Sequence, residues 1–152
     1  MPRVSHDDRI ALLRAVWLFE RCTNRELSAL AGTVVPRLVD AGEVLAREGE
    51  DGSDFFVIVD GEACASIDGD ELGRIGPGSF FGELALLDGG PRSATVKAGT
   101  PMIVLVMDRR DFDELVDTAI PSVGRKMLTV LAQRLRIADK RIGNSFERVG
   151  GL

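Results

Sequence analysis

The sequence predicts a mainly β, α+β protein: an antiparallel β-roll or jelly roll with helices before it and one long helix after it. Short β-type runs separated by glycine turns fill residues 33–108, a spacing typical of antiparallel sandwiches and barrels. Residues 1–32 carry helix start and stop signals, and residues 109–145 return to helical periodicity before a tail at 146–152. The length of 152 residues fits one domain.

Two helices are predicted in the N-terminal segment. Ser5 is a suitable N-cap for the first, because its side-chain oxygen can accept from a free backbone N–H of the first turn. Thr23 followed by Glu26 has the spacing of a capping box and predicts the start of the second helix. Gly32 follows the last helical residue, where we expect it at C′.

The central segment reads as a series of short strands. Asp68-Gly69 lies between two of them and predicts a tight hairpin turn. Four phenylalanines fall within strand-like runs and are expected in the core: Phe55, Phe56, Phe80 and Phe81. The runs themselves are TVVPRLVD, EVLAREG, DFFVIVDG, EACASIDG, DELGRIGPG, SATVKAG and PMIVLVMD.

A long helix is predicted from Pro121, which suits a first helical position. Apolar residues recur along it at alternating three- and four-residue steps, as in a coiled-coil seam. This stripe either packs on the β-roll of the same chain or joins a second copy in a homodimer through residues 121–142. Its members are Gly124, Leu128, Leu131, Leu135, Ala138 and Ile142.

The charge balance limits the partners. The net charge of −5 argues against nucleic acid or an anionic membrane surface, because both require a basic face. The longest apolar run, MIVLVM, is too short to cross a bilayer. No signal peptide is apparent, so we expect a cytoplasmic protein.

Cysteine and histidine usage limits the chemistry. Cys22 and Cys64 lack the spacing of metal ligands and are expected to be small buried hydrophobes in a reducing compartment. The single histidine, His6, lies near the N-terminus, which argues against histidine-based triads and against a metal-dependent jelly-roll enzyme such as a cupin. We therefore predict no catalytic activity, no metal and no cofactor.

The stretch FFGELALLDGGPRSATV, residues 80–96, interrupts the β pattern and carries the candidate chemistry. A short helical turn predicted at Gly82-Glu83 would present unpaired N–H groups to an anion, and Arg92 could grip two phosphate oxygens. Glu83 would repel a bare phosphate. The conflict is resolved if the ligand also offers a neutral sugar hydroxyl, which a carboxylate accepts well. One phosphate and one hydroxyl describe a nucleotide.

This stretch closely resembles the phosphate-binding cassette of the cyclic nucleotide-binding domain. The strand FFVIVDGEA and the N-terminal LLRAVWLFERCTNRELSALA are also similar to that family, so the resemblance covers nearly the whole chain. The resemblance implies a cyclic nucleotide ligand. It implies that Arg92 pairs with the cyclic phosphate and that Glu83 accepts from the ribose 2′-hydroxyl.

The resemblance also assigns the remaining cassette positions. It implies that the backbone amides of Ala85 and Ser93 contact the phosphate, and that Gly82 and Leu84 shape the pocket. A serine after the arginine occurs in bacterial cAMP-binding regulators, whereas threonine is associated with cGMP preference. We therefore expect cAMP, with cGMP as the alternative. One structural alternative is that Glu83 and Arg92 pair with each other across a turn. A separate alternative is a degenerate domain that keeps the fold and acts only in protein interaction.

The C-terminal helix resembles the dimerising, base-capping helix of the catabolite activator family in the stretch LAQRLRIADKRIGN. Three residues are candidate base or lid contacts: Arg134, Ala138 and Asp139. Ala138 cannot supply the hydroxyl that the family uses at adenine. No helix-turn-helix follows, and we expect a stand-alone sensor that acts on an unknown effector protein.

Overall fold

The computed structural model describes the backbone of residues 3–148 and the side chains of residues 3–141. It has N-terminal helices, a central body of two sheets and two C-terminal helices, as the sequence predicts. The helices are α1 (His6–Arg14), a 3₁₀ helix (Trp17–Phe19), α2 (Asn24–Ala31), α3 (Ala85–Asp88), α4 (Arg109–Thr118) and α5 (Ser122–Arg148).

Eight strands form two antiparallel four-stranded sheets. The first sheet has the order β1-β8-β3-β6 and the second has the order β2-β7-β4-β5. The hairpin between β4 and β5 turns at Asp68 and Gly69, both with positive φ, as the sequence predicts. The strands are β1 (Val35–Val39), β2 (Val44–Ala46), β3 (Asp54–Asp60), β4 (Ala63–Ile67), β5 (Asp70–Ile75), β6 (Phe80–Phe81), β7 (Thr95–Ala98) and β8 (Met102–Asp108).

Strand β3 contributes to both hydrophobic cores, which explains its continuous apolar run. Phe56 and Ile58 face the space between the two sheets and pack with Ala63 and Val96 of the second sheet. Phe55 and Val57 alternate with them and face the helices on the outer side of the first sheet. The β-roll and the helical segments are therefore one packed unit.

The N-terminal caps form as predicted. The Ser5 side chain accepts from the Asp8 amide, and Thr23 and Glu26 form a complete capping box. Gly32 differs from the prediction: it is the C-cap residue of α2 and keeps right-handed helical geometry, not a left-handed C′ geometry. The 3₁₀ helix between α1 and α2 was not predicted.

Helix α5 packs on the body through a stripe that includes the half-buried Leu131 of the predicted seam. Val123, Met127 and Val130 are buried at helical spacing. Leu128 and Leu135, in contrast, are 66% and 63% exposed. The interpretation that the seam packs on its own β-roll is therefore wrong for these two leucines. Ile142 lies outside the described side chains, and the helix runs beyond the predicted boundary at 145.

A buried carboxylate joins α2 to the start of α5. Glu26 accepts from the Ser122 hydroxyl and the Lys126 ammonium in addition to the Thr23 amide. Burial by itself raises the pKa of Glu26, but the hydrogen bonds from Lys126, Ser122 and Thr23 outweigh it and lower the pKa to about 2. Burial, aided by the nearby Glu26 charge, raises the pKa of the Cys22 thiol to about 11. This cluster fixes the first turn of α5 against the N-terminal helices.

Some burial predictions need correction. Phe55 and Phe56 are fully buried, but Phe80 and Phe81 are only half-buried because β6 lies at the edge of its sheet. Cys22 and Cys64 are also half-buried, and both are free thiols. Within the described part of the chain, no helix has the length and apolar character needed to cross a bilayer.

Candidate functional site

The cassette begins where β6 ends. Gly82 follows β6 with φ +79°, a left-handed conformation that favours glycine. Helix α3 starts at Ala85, with Leu84 as its N-cap, not at Gly82-Glu83 as predicted. The Ala85 amide, which the resemblance implies contacts the phosphate, donates here to the Gly82 carbonyl at 3.0 Å. The turn at Gly82 therefore directs Glu83 away from the strand and into the site.

The return segment places Arg92 opposite this turn. α3 ends at Gly89 in a left-handed C-cap, and the chain then runs alongside residues 49–52. The Arg92 amide donates to the Glu50 carbonyl at 2.8 Å, and the Gly49 amide donates to the Arg92 carbonyl at 2.9 Å. Because β7 follows in the second sheet, the cassette bridges both sheets, and its two ends are held by β pairing.

Arg92 is half-buried beside β3. Its Nη1 donates to the Asp54 carbonyl oxygen at 2.8 Å, and its Cζ lies 5.8 Å from the centre of the Phe56 ring. Burial lowers the pKa of Arg92, because removing a guanidinium from water disfavours its charged form, while the Asp54 carboxylate opposes the shift. Arginine stays protonated near neutral pH, so the site holds a partly desolvated cation.

Two glycines make room for this guanidinium. A Cβ built at Gly52 would lie 2.0 Å from Arg92 Nε and 2.3 Å from its Cζ. One built at Gly82 would lie 2.5 Å from Arg92 Nη1 and 2.8 Å from the Asp54 carbonyl oxygen. In the sequence, Gly52 is simply one of the glycines that separate the short strands. Nothing local in the sequence distinguishes a glycine that turns the chain from one that passes beneath a side chain.

Glu83 and Arg92 do not pair with each other in the described structure. A Glu83 carboxylate oxygen, Oε1, accepts from the Trp17 indole Nε1–H at 3.3 Å, while Arg92 binds the Asp54 carbonyl. The structural alternative of a Glu83–Arg92 ion pair across the turn is therefore wrong for this structure. Glu83 and Arg92 therefore each hydrogen-bond to a neutral group of the protein, the Trp17 indole and the Asp54 carbonyl respectively.

The two side chains line one cavity between β2, β7 and the cassette. The cavity is a pocket of about 120 Å³ that opens to solvent. Arg92 offers positive charge to an anion and Glu83 offers an acceptor to a hydroxyl. All six cassette residues singled out from the sequence line it: Gly82, Glu83, Leu84, Ala85, Arg92 and Ser93.

Similarity to known proteins agrees with this arrangement. The family described as cyclic nucleotide-binding domain matches residues 36–119, more than half of the chain. The chain belongs to the cyclic nucleotide-binding domain family. Proteins of this family are regulatory binding domains, not catalytic ones. Among residues 3–141, no group of three or more His, Cys, Asp or Glu side chains is placed to hold a metal ion.

Relatives of this cyclic nucleotide-binding domain include ion channels, transcription regulators and kinase regulatory subunits. A cyclic nucleotide-gated potassium channel of Rhizobium etli is 35% identical over 123 residues, which is 81% of this chain and 34% of the channel. The N-terminal domain of a Streptomyces coelicolor A3(2) transcriptional regulator superposes with a TM-score of 0.76 at 29% identity, covering 86% of this chain and 93% of that one. The regulatory domain of Toxoplasma gondii PKA, crystallised with cAMP, has a TM-score of 0.62 at 25% identity, covering 80% and 49%. The chain spans between about a fifth and a third of the length of the curated relatives it matches.

The candidate lid residues of this domain lie outside the cassette cavity. Arg134 stacks on the indole of Trp17, with its Cζ 4.1 Å from the ring centre. Ala138 lines a separate groove between α5 and the 3₁₀ helix, together with Arg134 and Glu20. Asp139 is exposed on α5. The predicted contacts of these residues with a base stay predictions.

Two contributors to the domain's site were missed from the sequence. Trp17 packs against the core below the helices and also donates to Glu83. Arg109, at the start of α4, donates to the Leu87 carbonyl at 3.4 Å and lies against Gly89. It thereby secures the end of the cassette helix. These contacts join residues 22 and 66 positions apart, beyond the reach of any local pattern.

Proposed function

We propose that the chain is a small regulatory sensor that binds a cyclic nucleotide, with cAMP preferred over cGMP. Arg92 pairs with the singly charged cyclic phosphate, and Glu83 accepts from the ribose 2′-hydroxyl. The single observation that carries the proposal is a half-buried guanidinium opposite a carboxylate with which it does not pair, in one cavity. A phosphodiester would supply the negative charge that the partly desolvated Arg92 lacks.

The shape of the site supports positioning by two opposed contacts. The guanidinium of Arg92 lies directly against Gly52 and Gly82, where a Cβ would displace it, and the phosphate would meet it from the cavity side. The sugar would then extend toward Glu83. Ser93 is exposed at the cavity, where its amide and hydroxyl can donate to the phosphate. The preference for cAMP rests on this serine and on the cAMP-bound relative.

We also propose that this protein acts by binding alone, without catalysis or a cofactor, in the cytoplasm. The family is regulatory, and the two cysteines are free thiols, as expected in a reducing compartment. The alternative is a degenerate domain that uses the same fold only to contact another protein.

A thermal-shift comparison tests ligand binding directly. A ligand at about 100 times its dissociation constant adds roughly 2.7 kcal/mol to stability, which raises the unfolding temperature by about 5–10 °C for a domain of this size. We expect this rise with cAMP, a smaller rise with cGMP and none with AMP, which lacks the cyclic diester. No rise with either cyclic nucleotide would favour the degenerate alternative.

We propose that α5 is both the lid and the output of the sensor, and that it forms a homodimer. The exposed part of the seam supports this, because Leu128 and Leu135 lie on a face of α5 that the body does not cover. A second copy would bury this face against its own seam. Movement of α5 would then change the dimer or a surface presented to an effector protein.

Substitution of the seam tests the dimer. Leu135→Glu should convert a dimer to a monomer in sedimentation equilibrium, because it places a carboxylate at the centre of the apolar contact. Thr129→Glu is the matched control, since it adds the same charge to an exposed position on another face of α5. A wild-type monomer at all concentrations, with and without cAMP, would contradict the homodimer.

A further inference from the structure

Trp17 occupies a rigid position between the cassette and α5. It begins the 3₁₀ helix, and the side chains of Val16, Leu18 and Phe19 on either side of it are buried in the core. The indole itself is only half-buried. Because its neighbours are fixed by packing, the ring is held at a defined place on the surface of the site.

The indole constrains the carboxylate of Glu83. Its Nε1–H donates to Oε1 of Glu83 at 3.3 Å across 66 residues of sequence. An indole is neutral and donates only one hydrogen bond, so it orients the carboxylate without neutralising it. A carboxylate has about four acceptor positions, and the bond therefore leaves capacity for a ligand hydroxyl.

The π face of the same indole holds a cation from α5. The Arg134 guanidinium carbon lies 4.1 Å from the ring centre, within the range of a cation–π contact. Arg134 belongs to the exposed part of α5, beyond the buried stripe that ends near Val130. Trp17 is thus the residue that contacts both the acid of the cassette and the helix expected to move.

We propose that Trp17 is a positioning residue for the ligand sugar: it holds Glu83 in the orientation that accepts a 2′-hydroxyl, and Arg134 holds the indole in place. The proposal rests on the proposed function, because it presupposes that a cyclic nucleotide binds with its 2′-hydroxyl at Glu83. A positioned carboxylate loses less side-chain entropy on binding than a free one. Discrimination between ribose and 2′-deoxyribose should therefore depend on Trp17.

Calorimetry with cAMP and 2′-deoxy-cAMP tests the role of the indole N–H. Trp17→Phe removes this donor but keeps an aromatic ring for Arg134 and for packing. We expect it to weaken cAMP binding by about fivefold to tenfold, the scale of one hydrogen bond to a charged group acting indirectly. Binding of 2′-deoxy-cAMP should change by less than about twofold, because that ligand has no hydroxyl for Glu83 to accept.

The double variant separates positioning from general packing. In a Glu83→Gln background, Trp17→Phe should cause no further loss of cAMP affinity, since the two residues act as one unit. Equal losses for cAMP and 2′-deoxy-cAMP, or no loss for either, would overturn the inference while leaving cyclic nucleotide binding intact. If the wild-type protein binds neither ligand, the proposed function fails, and this inference fails with it.

A second measurement covers the case in which Trp17→Phe does not fold. Trp17 is the only tryptophan in the chain, so its indole N–H gives a single proton resonance. Glu83→Gln should move this resonance upfield, because a neutral amide oxygen is a weaker acceptor than a carboxylate. A resonance that is unchanged in Glu83→Gln would overturn the inference.

Discussion

Arg92→Ala is expected to abolish cyclic nucleotide binding, with a loss in affinity of roughly 100-fold or more, because two charge-assisted hydrogen bonds to the phosphate disappear together. Arg92→Lys keeps the charge but not the planar fork. The affinity of Arg92→Lys for the cyclic nucleotide should fall roughly tenfold, the scale of one charge-assisted hydrogen bond. Isothermal titration with cAMP measures both losses.

Arg92→Ala should leave the unliganded fold intact. Burial disfavours the charged form of Arg92, so its removal relieves a desolvation cost. This gain offsets the lost hydrogen bond to the Asp54 carbonyl, the lost Phe56 contact and the lost attraction to the Asp54 carboxylate. We expect an unchanged or higher unfolding temperature without ligand, as is common for functional residues. Arg25→Ala, at an exposed position on α2, is the matched control and should bind normally. A binding heat that Arg92→Ala leaves unchanged would refute the assignment of the phosphate site.

Gly52→Ala is expected to weaken binding by roughly 10- to 100-fold, the value of one charge-assisted hydrogen bond, although Gly52 itself makes no contact through a side chain. The added methyl would lie 2.0 Å from Arg92 Nε, 2.3 Å from Cζ and 2.7 Å from Cδ. No folded protein tolerates such distances, so the guanidinium must move. Because it is the end of a flexible side chain, it can move without disturbing the backbone.

Two control experiments isolate this displacement. Gly52 does not lie in the left-handed region, so alanine adds no backbone strain there. Gly76→Ala is the matched control, because its new Cβ would lie 3.9 Å from the nearest side chain, that of Glu62. In an Arg92→Ala background, Gly52→Ala should cause no further loss of affinity for the cyclic nucleotide. Wild-type affinity in Gly52→Ala would mean that the binding position of Arg92 does not depend on its close approach to Gly52.

The sequence alone determined the fold class and the site's two charged groups. The period of the strands, the caps at Ser5 and Thr23 and the turn at Asp68-Gly69 are local signals, and the structure reproduces them. Spacing along the cassette also led to Glu83 and Arg92, because both lie in one short segment. Such features depend on residues close in sequence, whose geometry the backbone itself restricts.

Only the tertiary structure decided what surrounds those groups. It placed Gly52 beneath Arg92 and the Trp17 indole against Glu83, and it turned Leu135 away from the body while burying Met127 of the same helix. All of these features depend on how separate elements pack. The two contacts join residues that belong to no common local pattern in the sequence. Packing of this kind is decided by shape and burial across the whole chain, so spacing in the sequence could not reveal it.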